Sequence, residues 1–298
     1  MNYRPLGKSD LPVSEISFGC MSLKGEEKED INLLHQALEG GINFFDTADL
    51  YDQGRNEEIV GKAFKGKRDQ VILATKVGNQ WRPDGSGWDW NPSKAYILEA
   101  VEKSMKRLQT SYLDLYQLHG GTLEDPIEET IEAFELLKAQ GKIRHYGISS
   151  IRPNVIREYV QRSNLVCVMM QYSLLDRRPE EQVLDLLNQN QISVLARGSL
   201  AQGLLLGKPP KPYLSHSLEE VSRAAEAVKT MAGAGSNPEG VAVRYALQSP
   251  AVASAVLGIR TEEQLAQALA AAQSAPLSQD QVNLLQQKVP ARMYEQHR

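Results

Sequence analysis

Four residues able to move a proton stand at or just beyond the ends of successive apolar runs. Asp46 and Tyr51 lie five residues apart in Asn43-Phe-Phe-Asp-Thr-Ala-Asp-Leu-Tyr51, Lys76 ends Ile72-Leu-Ala-Thr-Lys76, and His119 ends Leu115-Tyr-Gln-Leu-His119. A lysine ammonium at the end of an apolar strand is costly unless a counter-ion meets it, and Asp46 on the preceding run is the natural partner. That pair has a purely structural reading. It also has a chemical one: an ammonium beside a phenol favours the phenolate, lowers the tyrosine pKa and makes Tyr51 a better general acid than an isolated tyrosine. His119 would then orient a substrate oxygen or share the proton. Singly, each residue is explained as well by structure as by function. Together, on neighbouring strand ends, they point to proton transfer at a substrate oxygen.

Such a cluster needs a scaffold that brings strand ends together. The chain alternates short β-branched or aromatic runs with longer segments of 3.6-residue period, the pattern of parallel strands joined by helical crossovers. Eight strands are expected, at Ile16–Gly19, Asn43–Asp46, Val71–Lys76, Leu113–His119, His145–Ser149, Val166–Gln171, Ser193–Ala196 and Ala253–Gly258. Ile31, Leu34 and Leu38 share one helix face, as do Ile97, Val101 and Met105, and Ile131, Phe134 and Leu137. Gly40-Gly41 and Gly141 read as helix stops. Tyr3–Leu6 and Leu11–Ser14 flank Gly7-Lys8-Ser9-Asp10 as a small hairpin able to plug a barrel's bottom. The expected fold is α/β, a (β/α)8 TIM barrel with an N-terminal β-hairpin, forming one domain over residues 1–298. In such barrels working side chains gather at the C-terminal strand ends, where the four residues fall; His145, which opens a strand, belongs to the opposite, structural end. A doubly wound dinucleotide fold is disfavoured, because no Gly-x-Gly-x-x-Gly follows the first strand and Gly233-Ala-Gly235 ends no strand.

Composition narrows the function classes. No apolar run approaches the roughly 20 residues of a membrane span, and Met1–Ser9 lacks the pattern of a signal peptide. A soluble, cytoplasmic protein without membrane association is expected. Cys20 and Cys167 are the only cysteines, too few for a disulfide framework and unclustered with histidine, so both read as packed thiols and no metal site is expected. A net charge of −4 without a Lys/Arg block argues against nucleic acid. Small molecules are the expected partners, and the helix faces offer no seam from which to read an oligomeric state.

Five ordered motifs carry a resemblance that spans essentially the whole chain: Gly41-Ile-Asn-Phe-Phe-Asp-Thr-Ala-Asp-Leu-Tyr51, Gly54-Arg-Asn-Glu-Glu-Ile-Val-Gly61, Ala74-Thr-Lys76, Asp114-Leu-Tyr-Gln-Leu-His119 and Gly147-Ile-Ser149. The chain resembles the aldo-keto reductase superfamily, in its bacterial NADPH-dependent part near the channel β-subunit-like branch. The resemblance implies Tyr51 as general acid, Lys76 as the group that lowers its pKa, Asp46 as the holder of Lys76 and His119 as the group that positions a carbonyl. NADP is the implied cofactor, giving hydride to the carbonyl carbon of an aldehyde or ketone. The implied seat uses Cys20 and Met21 after the first barrel strand, then Ser149, Gln171, Arg197, Gly198, Ser199 and Leu200, and finally Gly258, Arg260, Thr261 and Gln264, with Arg260, Thr261 and Gln264 on a phosphate of the adenosine ribose. A second implied role stays open, an NADP-binding redox sensor of the same fold with slow turnover.

Three positions depart from the family pattern. Met169 replaces a frequent glutamine, and Gln171, on the same side of the strand, is its substitute toward a carboxamide. Arg197 replaces an aromatic that stacks on the nicotinamide, and Ala268 stands where an adenine-contacting asparagine is common. All three tryptophans, Trp81, Trp88 and Trp90, fall in 79–91, where they either wall a pocket mouth or pack against one another in a loop.

Overall fold

The computed structural model describes residues 1–233 and 237–298, so that Gly235 lies outside it. The eight barrel strands are β3 (Ile16–Gly19), β4 (Phe44–Asp46), β5 (Ile72–Val77), β8 (Leu113–Leu118), β9 (Ile143–Ser149), β10 (Cys167–Gln171), β11 (Ser193–Arg197) and β12 (Val252–Gly258). Each is parallel to its neighbours, in chain order around the barrel, and β12 returns to pair with β3 through Leu257↔Phe18 and Gly258↔Gly19. Every strand thus has two partners and the sheet has no edge to protect. Expected and observed strand ends agree within two residues, the largest shift being β9, which opens at Ile143 rather than His145.

Between strands run the helices α1 (Glu27–Glu39), α2 (Arg55–Phe64), α3 (Lys94–Arg107), α4 (Ile127–Ala139), α5 (Pro153–Arg162), α6 (Val183–Gln189), α7 (Leu218–Ala232) and α8 (Pro238–Ala246), with α9 (Glu262–Ala272) and α10 (Gln279–Lys288) after the last strand. Their apolar stripes bury Leu34, Ile97, Val101, Phe134 and Leu137 completely against the outside of the barrel. Phe134 stacks on Tyr146 with ring centroids 5.2 Å apart, joining α4 to β9. None of the described helices is long and apolar enough to cross a membrane.

The hairpin of β1 (Tyr3–Pro5) and β2 (Pro12–Ser14) closes the barrel's bottom. Leu6, Leu11 and Val13 join Phe44, Leu115, Met169 and Leu195 in the interior cluster, so the barrel is packed below its mouth rather than open. The hairpin is also tied down by polar contacts. Arg4 donates from Nε to Glu15 Oε1 at 2.8 Å and from Nη1 to the carbonyl of Val252 at 2.9 Å, and buried Arg244 meets Glu15 Oε2 at 2.8 Å. At the hairpin's tip Asp10 Oδ1 lies 2.8 Å from His145 Nε2, which places His145 at the bottom, away from the strand C-termini.

One departure matters for the site. Residues 79–91 do not form an irregular loop; they hold a two-stranded antiparallel hairpin, β6 (Asn79–Trp81) and β7 (Trp88–Trp90), with Trp81 paired to Trp88. The aromatic residues favour extended backbone, and Pro83, Gly85 and Gly87 in its turn break any helical alternative.

Helix α2, which anchors the loop bearing Tyr51, packs so closely on the end of α3 that a methyl group at Gly61 would fall 2.7 Å from the Leu108 backbone and against the Arg107 carbonyl. Gly61→Ala is expected to lower stability by about 1–3 kcal/mol, because backbone atoms on both sides must separate. A urea unfolding midpoint equal to that of the wild type would exclude this close contact.

Candidate active site

Asp46 is the last residue of β4 and Lys76 the fifth of β5, and the register Asp46↔Ala74 sets their side chains side by side in the barrel mouth. Both are buried. Lys76 Nζ directs its three hydrogens to three oxygens: Asp46 Oδ2 at 2.6 Å, the Thr47 carbonyl at 2.8 Å and the Tyr51 hydroxyl at 3.2 Å. Gln117 of β8 donates to the other Asp46 oxygen at 3.3 Å. Burial works against the ammonium, but Asp46 and Tyr51 outweigh it and hold Lys76 above its ordinary pKa. The four residues singled out by type and spacing therefore do meet, since His119, just past β8, presents its ring edge-on to Tyr51 with centroids 5.8 Å apart.

Tyr51 is held in place by its backbone. Its N–H donates to the Ala48 carbonyl at 3.1 Å, and Asp52, Gln53 and Gly54 follow with φ of 49°, 54° and 87°. Two consecutive non-glycine residues in the left-handed region are costly, and the surroundings must impose that turn. They do so through the contacts on either side. Trp81 Nε1 donates to the Leu50 carbonyl at 3.2 Å, while Thr47 Oγ1 donates to Asn56 Oδ1 at 2.6 Å and Asn56 Nδ2 to the Cys20 carbonyl at 2.8 Å. Sequence reasoning overlooked Trp81, Asn56, Gln117 and Thr47 as supports. Thr47, Asn56 and Gln117 lay inside motifs already singled out and Trp81 in the tryptophan-bearing segment, but their contacts depend on geometry that has no spacing signature.

The protonation states differ from the simplest expectation in one respect. Lys76 lowers the Tyr51 pKa in the expected sense, but burial is the larger effect and the phenol ends above its ordinary value. Tyr51 is therefore a neutral hydroxyl, a proton donor, throughout the neutral range. Burial, reinforced by Lys76 and Arg197, pushes His119 down to about 3, so the imidazole is neutral as well. His119 Nδ1 is buried without a partner among the described residues. The site thus offers a hydroxyl donor backed by an ammonium, next to a neutral imidazole, which suits delivery of a proton to a substrate oxygen. A cleft of about 390 Å3, lined by Met21, Leu23, Lys24, Leu50, Tyr51 and Asp52 among others, opens beside the hydroxyl-bearing turn.

The twelve residues expected to seat a nucleotide occupy the rest of the rim. Ser149, Gln171, Arg197 and Gly258 end four consecutive barrel strands, and Cys20 and Met21 follow the fifth, β3. Cys20 is fully buried, its carbonyl accepting from Asn56, whereas Met21 is exposed. Gln171 and Arg197 are register partners on β10 and β11. The Gln171 amide donates to the Tyr213 hydroxyl at 2.7 Å, a contact absent from the sequence expectation. The Arg197 guanidinium lowers the pKa values of both Tyr51 and His119, so it bears on the mouth as a cation. Gly198 adopts φ of 71°, and Ser199 and Leu200 continue the turn. Arg260 is exposed next to the start of α9. There Thr261 caps the helix by accepting from the Gln264 N–H at 3.2 Å, and the Gln264 side chain accepts from the Arg260 N–H at 2.8 Å. An exposed guanidinium, a hydroxyl and an amide side chain are thus grouped at the start of α9, beside Glu262 and Glu263 of its first turn. Ala268 is buried in the core and offers no polar group.

The hairpin's three tryptophans occupy different surroundings. Trp81 reaches the Leu50 carbonyl, and Trp90 donates to Asp125 Oδ1 at 2.9 Å while its ring packs over Gly78 and Gly120, leaving about 3.2 Å for any methyl group at Gly120. Trp88 is exposed.

The profile described as "Aldo/keto reductase family" matches residues 15–290. Among curated proteins, the "Uncharacterized oxidoreductase YqkF" of Bacillus subtilis is 53% identical over all of both chains. The "NADH-specific methylglyoxal reductase" of Escherichia coli is 34% identical over 70% of this chain and 71% of its own. Among solved structures, the holo form of the aldo-keto reductase AKR11C1 from Bacillus halodurans superposes with a TM-score of 0.94 at 50% identity, covering 100% of this chain and 99% of that one.

Removing the ammonium alone should be worse than removing the pair. Lys76→Met is expected to destabilise the fold by about 3–5 kcal/mol, because it leaves Asp46 buried without its counter-ion. Asp46→Asn added to it should recover most of that loss. Chemical unfolding of both variants checks the coupling, and equal losses for single and double variants would contradict it.

Proposed function

Because this chain belongs to the aldo/keto reductase family, we propose that it reduces aldehydes or ketones to alcohols with NADPH, and that Tyr51 supplies the proton. The observation that carries the reading is the Lys76 ammonium, which contacts Asp46 at 2.6 Å and the Tyr51 hydroxyl at 3.2 Å and so serves as the counter-ion of whichever oxygen is charged. The fold alone would not suffice, since one barrel hosts many chemistries.

In the proposed reaction Tyr51 gives its proton to the carbonyl oxygen. The phenolate left behind lies within hydrogen-bonding distance of Lys76 and in the field of Arg197, so charge develops where cations already stand and little reorganisation is needed. Burial, which keeps the phenol protonated beforehand, also excludes the water that would otherwise weaken this stabilisation. His119, neutral and with Nδ1 unpartnered among the described residues, orients the carbonyl by hydrogen bonding without competing as an acid. When bound, the reduced nicotinamide supplies the hydride that the carbonyl carbon takes; no group of the protein provides it. The balance is one hydride to carbon and one proton to oxygen, and the reverse oxidation of an alcohol needs Tyr51 as base.

For the cofactor, Gly258 and the Arg197–Leu200 turn would carry the diphosphate-bearing portion along the rim, with Gln171 at the carboxamide end. Arg260, Thr261 and Gln264 would hold the phosphate that distinguishes NADPH, as a planar guanidinium beside a hydroxyl favours. The relative named for NADH specificity makes this choice one to test directly.

Tyr51→Phe is expected to reduce aldehyde-dependent NADPH oxidation by about 10²- to 10⁴-fold, with thermal unfolding and cofactor binding nearly unchanged because the ring remains. Undiminished turnover would refute the assignment of Tyr51. Tight NADPH binding by the wild type with no oxidation for any aldehyde or ketone would replace the reductase reading with that of a redox sensor. Arg260→Ala should weaken NADPH by about tenfold to a hundredfold while sparing NADH, the loss expected for charge-assisted hydrogen bonds. Equal losses for both cofactors, measured by fluorescence titration, would remove Arg260 from the phosphate.

A further inference from the structure

The loop between Asp46 and Tyr51 carries a second buried acid that the proposed reaction does not use. Asp49 lies three residues beyond Asp46 and two before Tyr51, with only 7% of its surface exposed. Its surroundings are the opposite of those of Asp46. Among the described residues no cation contacts its carboxyl: Lys76 of β5 turns its ammonium to Asp46 and offers Asp49 only a backbone carbonyl, 3.4 Å from the Asp49 N–H. Arg107 of α3 is committed to Glu57 of α2, with Nε 2.6 Å from Glu57 Oε2. The nearest side-chain donor is the Tyr96 hydroxyl of α3, 3.4 Å from Asp49 Oδ2, and Asp49 Oδ1 has no partner among the described residues. Glu57, wholly buried, adds a carboxyl on one side, and Tyr116 of β8 adds a phenol whose hydroxyl is likewise without a partner.

We propose that Asp49 is a positioning residue that works as a neutral carboxylic acid: uncharged, it is tolerated behind the turn that presents Tyr51, and on gaining a charge it loosens that turn and slows the reaction. A buried carboxylate with no cation and a neighbouring carboxyl would be heavily penalised, whereas a neutral acid can donate one hydrogen bond inside the same cluster. Burial, reinforced by Glu57 and opposed by Arg107, pushes Asp49 up to about 8. Burial raises both acids, but only Asp46 has an ammonium in contact to hold its charge, so two acids three residues apart are set differently by their neighbours. The kinetic part of the inference rests on the carbonyl-reductase reading of the site, while the charge state of Asp49 does not.

The direction of the effect on stability follows from linkage. In the unfolded chain Asp49 ionises near its ordinary value, and in the folded chain only near 8. Between those limits the folded state binds the extra proton, so wild-type stability falls as pH rises and levels off above about 8. Asp49→Asn keeps the shape and cannot ionise. Its melting temperature should therefore gain steadily on that of the wild type from about pH 5 to about pH 8 and hold a constant lead above that. Its reductase rate should stay level where the wild-type kcat falls about tenfold per pH unit on the alkaline side. Glu57→Gln removes the neighbouring charge and frees Arg107, so it should move the alkaline fall to lower pH. This second variant also keeps the test open should Asp49→Asn not fold. A melting-temperature difference independent of pH would show that Asp49 is already ionised in the folded protein and would overturn the proposal. So would an alkaline fall that is identical in Asp49→Asn or unmoved in Glu57→Gln. Should no carbonyl compound be turned over at all, the reductase reading fails alone, and the melting profiles still decide the charge of Asp49.

Discussion

An ammonium buried in the mouth of a barrel has to be neutralised by groups that cannot move away, and much of this structure supplies them. Lys76 satisfies all three of its hydrogens with oxygens from one short stretch of chain, 46–51: a carboxylate, a backbone carbonyl and a phenol. Two of these, Asp46 and Thr47, stand at the end of β4, and the third comes from the turn that follows. The parallel register of β4 with β5 thus sets the ion pair, and the ion pair in turn limits where the Tyr51 turn can lie. A buried pair is weak evidence for stability, because desolvation offsets much of the Coulomb gain. It is better evidence for a site, since natural selection of a costly group in a mouth needs a use for its charge.

The rim divides into two contiguous arcs. Strands β4, β5 and β8 carry Asp46, Lys76 and His119, while β9, β10, β11, β12 and β3 end in, or lead directly into, the residues of the proposed nucleotide seat. An extended cofactor laid along five strand ends would bring one terminus to the edge of the three-strand arc, where the Tyr51 hydroxyl stands. Closure of the barrel makes this possible. Because β12 pairs back onto β3, the first and last strands of the chain become neighbours, and Gly19 and Gly258 face each other across that seam. Both arcs lie at strand C-termini, while the opposite end is filled by the hairpin and by Arg4, Glu15, Arg244 and the Asp10–His145 contact.

The β6–β7 hairpin gives the three-strand arc its outer support. It leaves the barrel directly after β5, carries Trp81 to the Leu50 carbonyl and lays Trp90 over Gly78 and Gly120, the residues that flank the ends of β5 and β8. Without side chains, these glycines let an indole approach the backbone closely next to His119. Trp81 and Trp90 thus support the segments around the mouth, while Trp88 stays exposed.

What the sequence determined by itself was the architecture and the identities of the four residues that meet at the barrel mouth. Alternating periodicities demand parallel strands with helical crossovers, and the strand-end rule of such barrels selects Asp46, Lys76 and His119, with Tyr51 close by in the next loop. These are local properties, expressed in stretches of ten or so residues, and so they survive in the linear order. Only the tertiary structure decided charge. Asp46 and Asp49 are the same residue type three positions apart, yet one meets an ammonium from β5 and the other meets a carboxyl from α2 and phenols from α3 and β8. The Tyr51 phenol, expected to be lowered by Lys76, is raised because burial outweighs the ammonium. Desolvation and Coulomb energies are sums over every group that surrounds a site, and those groups come from segments scattered along the whole chain, so no spacing within a single motif could have encoded them.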